Sequence, residues 1–206
     1  MNNPYNNSLL KAYNNKANER NNLEVDGWKV IERNEFLAKL NKKGRLLEIG
    51  AGPGHDGKFF QEKGLNVTCV DLSPEMVQKC VEKGLQAKVM SFDEMSFEKG
   101  SFDYVWALNC LLHVPKNELS KVLTEVRRVL KPGGLFFYGV YGGKNSEGIW
   151  EGDSYEPKRF FSFFTDEAIV KFVEDYFELV SFKSIPKDVI GNSDLHFQSM
   201  IWKKKD

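Results

Sequence analysis

The stretch from Leu46 to Gly57 (Leu-Leu-Glu-Ile-Gly-Ala-Gly-Pro-Gly-His-Asp-Gly) restricts the possible fold more than any other part of the chain. A short apolar run carries one acid, glycine follows at positions 50, 52 and 54, and a helical pattern begins directly after. Such a run suits a strand buried on both faces of a parallel sheet. The glycines suit a tight β-to-α turn, the place where ligands meet such sheets. Lacking Cβ, they accept positive φ and let a ligand lie against the backbone. The stretch therefore predicts a nucleotide-like ligand at the end of the first strand.

The chain around it alternates between strand and helix patterns. Trp28, Ile31, Phe36, Leu37 and Leu40 predict an amphipathic helix ended by residues 41–44, and the first strand is 45–49. A helix over 55–62 stops at Lys63-Gly64, and a second strand over 66–70 ends in Asp71. Ser73 and Pro74 start a helix that reaches Lys83-Gly84. Strands are expected over 85–90 and 101–108. A helix with the stripe Leu119, Val122, Leu123, Val126, Val129 and Leu130 then stops at Lys131-Pro132-Gly133-Gly134, before a fifth strand over 135–141. Short turns between these elements imply a mainly parallel sheet covered on both faces.

The two ends read differently. Residues 1–22 are rich in asparagine and poor in apolar residues, which predicts a mobile arm or lid, with disorder the more cautious reading. Residues 142–164 are crowded with aromatic side chains and lack periodicity. Thr165, Asp166 and Glu167 then start a helix to Glu174. Strands over 177–185 and 196–203 are joined by a loop containing Pro186 and Gly191-Asn192, with no helix between them, so the last strand should run antiparallel to its neighbour.

Lys plus Arg equals Asp plus Glu at 29 each, which gives no general electrostatic case for nucleic acid or a membrane surface. Cys69, Cys80 and Cys110 have no metal-binding spacing and read as buried small hydrophobes, and His55, His113 and His196 lie on separate elements, so no metal site is expected. No apolar run reaches the roughly 18 residues that span a bilayer, nor is there a signal-peptide core. A soluble, cytoplasmic monomer or homodimer is expected.

Two ligand classes use a glycine turn after strand one and an acid after strand two. The dinucleotide fingerprint G-x-G-x-x-G puts its third glycine on His55, with Gly54 one residue early. The spacing Glu48-x-Gly50-x-Gly52-x-Gly54 instead resembles motif I of the class I S-adenosylmethionine-dependent methyltransferases. So do Asp71 closing strand two, Ser101-Phe102-Asp103-Tyr104-Val105, Leu111-Leu112-His113-Val114-Pro115, and Arg128-Val129-Leu130-Lys131-Pro132-Gly133-Gly134, in the same order.

The resemblance implies an α/β Rossmann-like seven-stranded sheet of order 3-2-1-4-5-7-6. It implies S-adenosylmethionine as cofactor and a small-molecule acceptor. The backbone of Gly50, Ala51 and Gly52 would meet the methionine carboxylate and Glu48 the ammonium. Asp71 would take both ribose hydroxyls, Leu72 would pack on adenine, Ser91 and Phe92 would meet the adenine edge, and Asn109 would lend a carbonyl to the ammonium. Serine at position 91 departs from the family's usual acid, and Asp93 is the alternative. Phe102 and Asp103 are read as structural.

His113 is the candidate base, with a structural or substrate-wall role as the alternative. The acceptor wall is expected from Tyr13, whose surroundings resemble the lead-in of many small-molecule methyltransferases, and from Trp150, Arg159 and Phe161, with Arg159 pairing an acidic acceptor. Residues 1–44 would then cover the active site, 45–206 would form the methyltransferase domain, and 142–164 would be a substrate-side insert. The competing readings are a non-catalytic binder of the same cofactor and a nicotinamide-dinucleotide oxidoreductase.

Overall fold

Two N-terminal helices, α1 (Asn6–Asn21) and α2 (Gly27–Leu37), precede the alternating part of the chain in a computed structural model that describes residues 4–41, 43–191 and 194–205. There follow β1 (Arg45–Ile49), α3 (His55–Glu62), β2 (Asn66–Asp71), α4 (Pro74–Glu82), β3 (Gln86–Val89) and β4 (Phe102–Leu108). A 3-10 turn at Leu111–His113 leads to α5 (Lys116–Val129) and β5 (Leu130–Gly142). The last third contains β6 (Ser146–Ile149), β7 (Phe160–Phe163), α6 (Asp166–Glu174), β8 (Glu178–Ile185), α7 (Lys187–Ile190) and β9 (His196–Lys203).

The main sheet has the order β3-β2-β1-β4-β5-β9-β8, which is 3-2-1-4-5-7-6 when its seven strands are counted alone. The first five strands pair in parallel, and β9 runs antiparallel to both β5 and β8. Alternate side chains of the central strands feed two cores. Leu47, Val105, Phe136 and Tyr138 pack under α5 and α6, whereas Leu46, Trp106 and Phe137 pack against α2 and α3. Trp106 stacks on Phe137 at 3.8 Å between ring centroids. Fully burying such rings is worth about 2–3 kcal/mol each, which holds the ends of β4 and β5 in register beneath the ligand turn. Ser73 and Thr165 cap α4 and α6 as expected, accepting from the Met76 and Ala168 N–H groups.

Five readings need correction. The asparagine-rich arm is a 16-residue helix: Leu9, Ala12 and Ala17 are enough to dock it, and that thin apolar line is what composition concealed. Ile31 is 55% exposed, because the buried face of α2 runs through Trp28, Glu32, Arg33 and Phe36. Its two charged members are paired, Glu32 with Lys183 at 2.5 Å and Arg33 with Asp56 at 3.2 Å, which offsets part of the cost of burying them.

Residues 142–164 are not irregular throughout, since β6 and β7 form an antiparallel ladder. A single helical turn, α7, sits between β8 and β9, too short to act as a crossover, so their antiparallel pairing is kept; Asn192 of the expected turn lies outside the described residues. Finally, Lys131–Gly134 falls inside β5, at an irregularity opposite Phe102 and Tyr104, with Gly133 at φ +69°.

Candidate active site

The turn after β1 is pinned from two sides. Gly50 has φ +62°, and a Cβ there would lie 2.3 Å from Cβ of Cys110, so only glycine fits. The Gly52 N–H donates to Asp71 Oδ2 at 2.8 Å, and the Ser73 N–H donates to Oδ1 at 2.9 Å. One carboxylate at the end of β2 thereby ties the β1–α3 turn to the start of α4. Burial pushes the Asp71 carboxyl up, while the two backbone donors pull it down.

Beside this turn is a cavity of about 70 Å³. Gly50, Gly52, Asp71, Leu72, Phe92 and Asn109 meet there as the sequence suggested, joined by Tyr13 and His113. Glu48, Ala51 and Ser91 are not on its wall. Glu48 points beneath the turn at 3% exposure, accepts from the Cys69 thiol at 3.3 Å and from the Gly57 backbone, and is raised well above the usual carboxyl range by burial and by the nearby Asp56. It supports the turn from below. Ala51 donates its N–H to the Val70 carbonyl at 3.1 Å, and Ser91 is turned towards Asp93, itself paired with Lys121 at 2.8 Å.

Sequence reasoning missed Arg20. It lies seven residues after Tyr13, two helical turns on and therefore on the same face of α1, and both side chains reach the cavity. Arg20 Nη1 donates to the Tyr155 hydroxyl at 3.0 Å, whereas its Nε is buried with no hydrogen-bond partner. Asn109, held at φ +54° with its N–H on the Gly139 carbonyl, likewise has a buried side-chain oxygen with no hydrogen-bond partner. A carboxylate, an unmatched cationic donor and an unmatched acceptor around a glycine cradle suit a zwitterionic nucleoside. S-adenosylmethionine has the ribose hydroxyls, carboxylate and ammonium that these groups would meet.

The other wall carries His113. Its Nδ1 lies 2.7 Å from the Phe160 carbonyl, which can only accept, so Nδ1 holds the proton and Nε2 accepts from the Tyr13 hydroxyl at 2.7 Å. Burial lowers its pKa to about 3. Arg159 is already committed: Nε and Nη2 each donate to Asp153 at 2.8 Å, its guanidinium stacks 3.5 Å over the Tyr155 ring, and Nη1 donates to the Tyr13 hydroxyl at 3.1 Å. That leaves no unshared charge on it for an acidic acceptor. Trp150 and Phe161 are not on the cavity wall and line a separate groove of about 690 Å³.

The His113 environment sets a pH dependence. Below its ordinary pKa near 6.5 the unfolded chain takes up a proton that the folded protein refuses until about pH 3. Stability is therefore lost as pH falls through this range, by about 2 kcal/mol between pH 7 and 5. The raised Asp71 and Glu48 carboxyls act in the opposite sense, so the comparison is with His113→Gln. Urea unfolding should show the variant losing about 2 kcal/mol less than wild type over that interval; equal pH slopes would refute the assignment.

Among the described residues, no group of three or more His, Cys, Asp or Glu is arranged to hold a metal, and no helix is long and apolar enough to cross a membrane. A sequence profile described as "Methyltransferase domain" matches residues 47–138. An uncharacterized protein of Methanocaldococcus jannaschii is 29% identical over 171 residues, 79% of this chain and 78% of that one. A ubiquinone biosynthesis O-methyltransferase of Xanthomonas oryzae pv. oryzae is 34% identical over 108 residues, 48% of this chain and 44% of that one. The chain spans less than half the length of the named curated methyltransferases it matches. The fold is shared with the 1,6-didemethyltoxoflavin-N1-methyltransferase of Burkholderia thailandensis, solved with its substrate and S-adenosylhomocysteine (TM-score 0.78, 21% identity, 98% of this chain and 87% of that one). The strand order, the glycine turn, the acid closing β2 and these matches support a methyltransferase domain of the class I S-adenosylmethionine-dependent type, a family whose cofactor is S-adenosylmethionine.

Proposed function

We propose that this protein transfers the methyl group of S-adenosylmethionine to a small-molecule acceptor. The observation that carries the reading is the single cavity bounded by Asp71, Asn109 and Arg20 on one side and by the Tyr13–His113 pair on the other. In this reading Asp71 takes the ribose hydroxyls with the lone pairs its two backbone donors leave over. Arg20 takes the carboxylate, the Asn109 side-chain oxygen takes the ammonium, and Leu72 and Phe92 hold the adenine. The bound cofactor supplies a methyl on a sulfonium, its own leaving group, so the protein's task is alignment and exclusion of water.

His113 is held neutral with Nε2 directed at Tyr13. That bond fixes the Tyr13 hydroxyl proton and leaves an oxygen lone pair for a hydrogen bond from the acceptor, so His113 orients Tyr13 and does not take up a proton itself. The cavity is far below the roughly 300–1,000 Å³ of ligand pockets, so Tyr13 and Arg20 must withdraw to admit the cofactor. Helix α1 is suited to that movement. Besides its thin apolar line it is latched by polar contacts, Asn14 to Ser73 at 2.5 Å, Asn15 to the Glu156 carbonyl at 2.8 Å and Arg20 to Tyr155. Residues 1–44 would thus be the cover and 142–164 the acceptor-side insert. The balanced charge of the chain favours a small acceptor, and the named neighbours, one an O- and one an N-methyltransferase, leave its atom open.

Calorimetry with S-adenosylhomocysteine and with a nicotinamide dinucleotide, followed by turnover on a panel of phenols, amines and acids, tests the proposal. Binding of the first ligand only is expected, with Arg20→Gln weakening it about tenfold through the lost charged contact. Failure to bind S-adenosylhomocysteine would overturn the reading, and binding without turnover on any acceptor would favour a non-catalytic binder.

A further inference from the structure

We propose that the groove beside the β6–β7 ladder is the acceptor site and that its ligand is a planar aromatic molecule. The inference rests on the methyltransferase reading above for the word acceptor, and on the groove itself for the ligand class. At about 690 Å³ the groove falls within the range of small-molecule pockets, whereas the inner cavity does not.

Its floor is aromatic. Phe161 and Phe163 lie parallel within 15° at 5.7 Å, and Trp150 stands edge-on to Phe161 at 5.6 Å. The ladder register explains why the groove opens beside Phe161. Its cross-strand partner is Gly148, where an added Cβ would meet nothing within 4 Å, so the groove stays open above this pair, with the Phe161 ring itself mostly packed under Arg159, Trp150 and Phe163. The rim is formed by Trp150 and Ile149, 55% and 52% exposed, on a hairpin of only two strands. Two lysines face three carboxylates around the lining, which leaves little charge selection. What the groove offers is the exposed Trp150 ring beside Phe163, whose face Lys144 shares at 5.4 Å, and an exposed ring recognises flat conjugated ligands by offset or edge-on stacking.

Phe161 also joins the groove to the chemistry. Its ring packs against His113 at 4.8 Å, and His113 is on the wall of the cofactor cavity. A ring stacked on Trp150 therefore lies against Phe161, the side chain that separates the groove from the Tyr13–His113 pair.

The molecule carries its own reporter. Of four tryptophans, Trp28, Trp106 and Trp202 are buried and Trp150 is exposed. The probe is 7-hydroxycoumarin, a flat bicycle that quenches tryptophan emission by energy transfer, with cyclohexanol as a non-aromatic control. The expected result is saturable quenching by the coumarin and none by cyclohexanol. Trp150→Ala and Ile149→Lys, both at exposed positions, should weaken coumarin anisotropy binding about tenfold, as expected for a lost stacking or apolar contact, with S-adenosylhomocysteine affinity unchanged. Equal coumarin affinity in wild type and both variants would overturn the proposal. So would light scattering that shows a wild-type dimer dissolved by Ile149→Lys, since the groove would then be an interface between copies. Loss of S-adenosylhomocysteine binding in wild type would defeat the methyltransferase reading while leaving the coumarin measurement to decide the ligand class.

Discussion

Replacing Asp71 with asparagine is expected to weaken S-adenosylhomocysteine binding about 100-fold. The carboxylate already accepts the Gly52 and Ser73 N–H groups, one on each oxygen, and in the proposed complex it accepts two ribose hydroxyls as well. Asparagine keeps the shape but offers one acceptor and no charge. It must then set its amide N–H₂ against either a backbone N–H or a hydroxyl. Hydrogen bonds to a charged group are worth about 1.5–3 kcal/mol each, so the loss of one such bond with repulsion at another gives the expected factor. Calorimetry measures it directly, and an affinity within threefold of wild type would show that Asp71 does not hold the ribose. The backbone anchors separate this from simple unfolding. Asp71→Asn keeps one of the two anchors and should lower the urea midpoint less than Asp71→Ala, which frees both N–H groups, while both lose the ribose contact.

The largest combined loss of stability and binding is expected from Gly50→Ala. At φ +62° a side chain costs about 1–2 kcal/mol, and the new Cβ would meet Cβ of Cys110 at 2.3 Å, an overpacking worth about 1–3 kcal/mol more. Cys110 cannot move aside cheaply, because it is buried and its thiol donates to the Ile49 carbonyl at 3.2 Å. A loss of about 3 kcal/mol in unfolding free energy and more than tenfold in cofactor affinity is expected. Adding Cys110→Gly removes the clash and leaves the strained φ, so the double variant should recover about half of the stability lost by the single one. No recovery would mean that the backbone angle alone excludes the side chain.

Much of the scaffold was legible in the chain because it depends on near neighbours. Strand β1 and helix α5 declare themselves by period, Ser73 and Thr165 by the caps they make three residues on, and the β1–α3 turn by glycines that no other residue replaces. Asp71 was readable for the same reason, since it closes its strand and faces the turn. Phe92 and Asn109 were named from the family resemblance, and both line the cavity.

The misreadings share a different cause. Helix α1 is held by three small or apolar residues and by partners 59 to 141 positions away, Asn14 on Ser73 and Asn15 on Glu156. Its composition looks like that of a disordered arm, and the contacts that order it are nowhere near it in sequence. Arg20 was invisible for that reason, and Arg159 could not be seen to be matched until Asp153 and Tyr155 stood beside it.

The sequence by itself determined the alternation of strands and helices from β1 to β5 and the ligand turn, because period, caps and positive φ are local properties of the chain, and its resemblance to a known family named the cofactor. Only the tertiary structure decided that Glu48 lies under the turn and not in the cavity, that His113 is neutral and bonded to Tyr13, and that Phe161 pairs across the ladder with Gly148. Burial, pairing and register depend on what distant segments bring to the same place, and no window along the chain contains them.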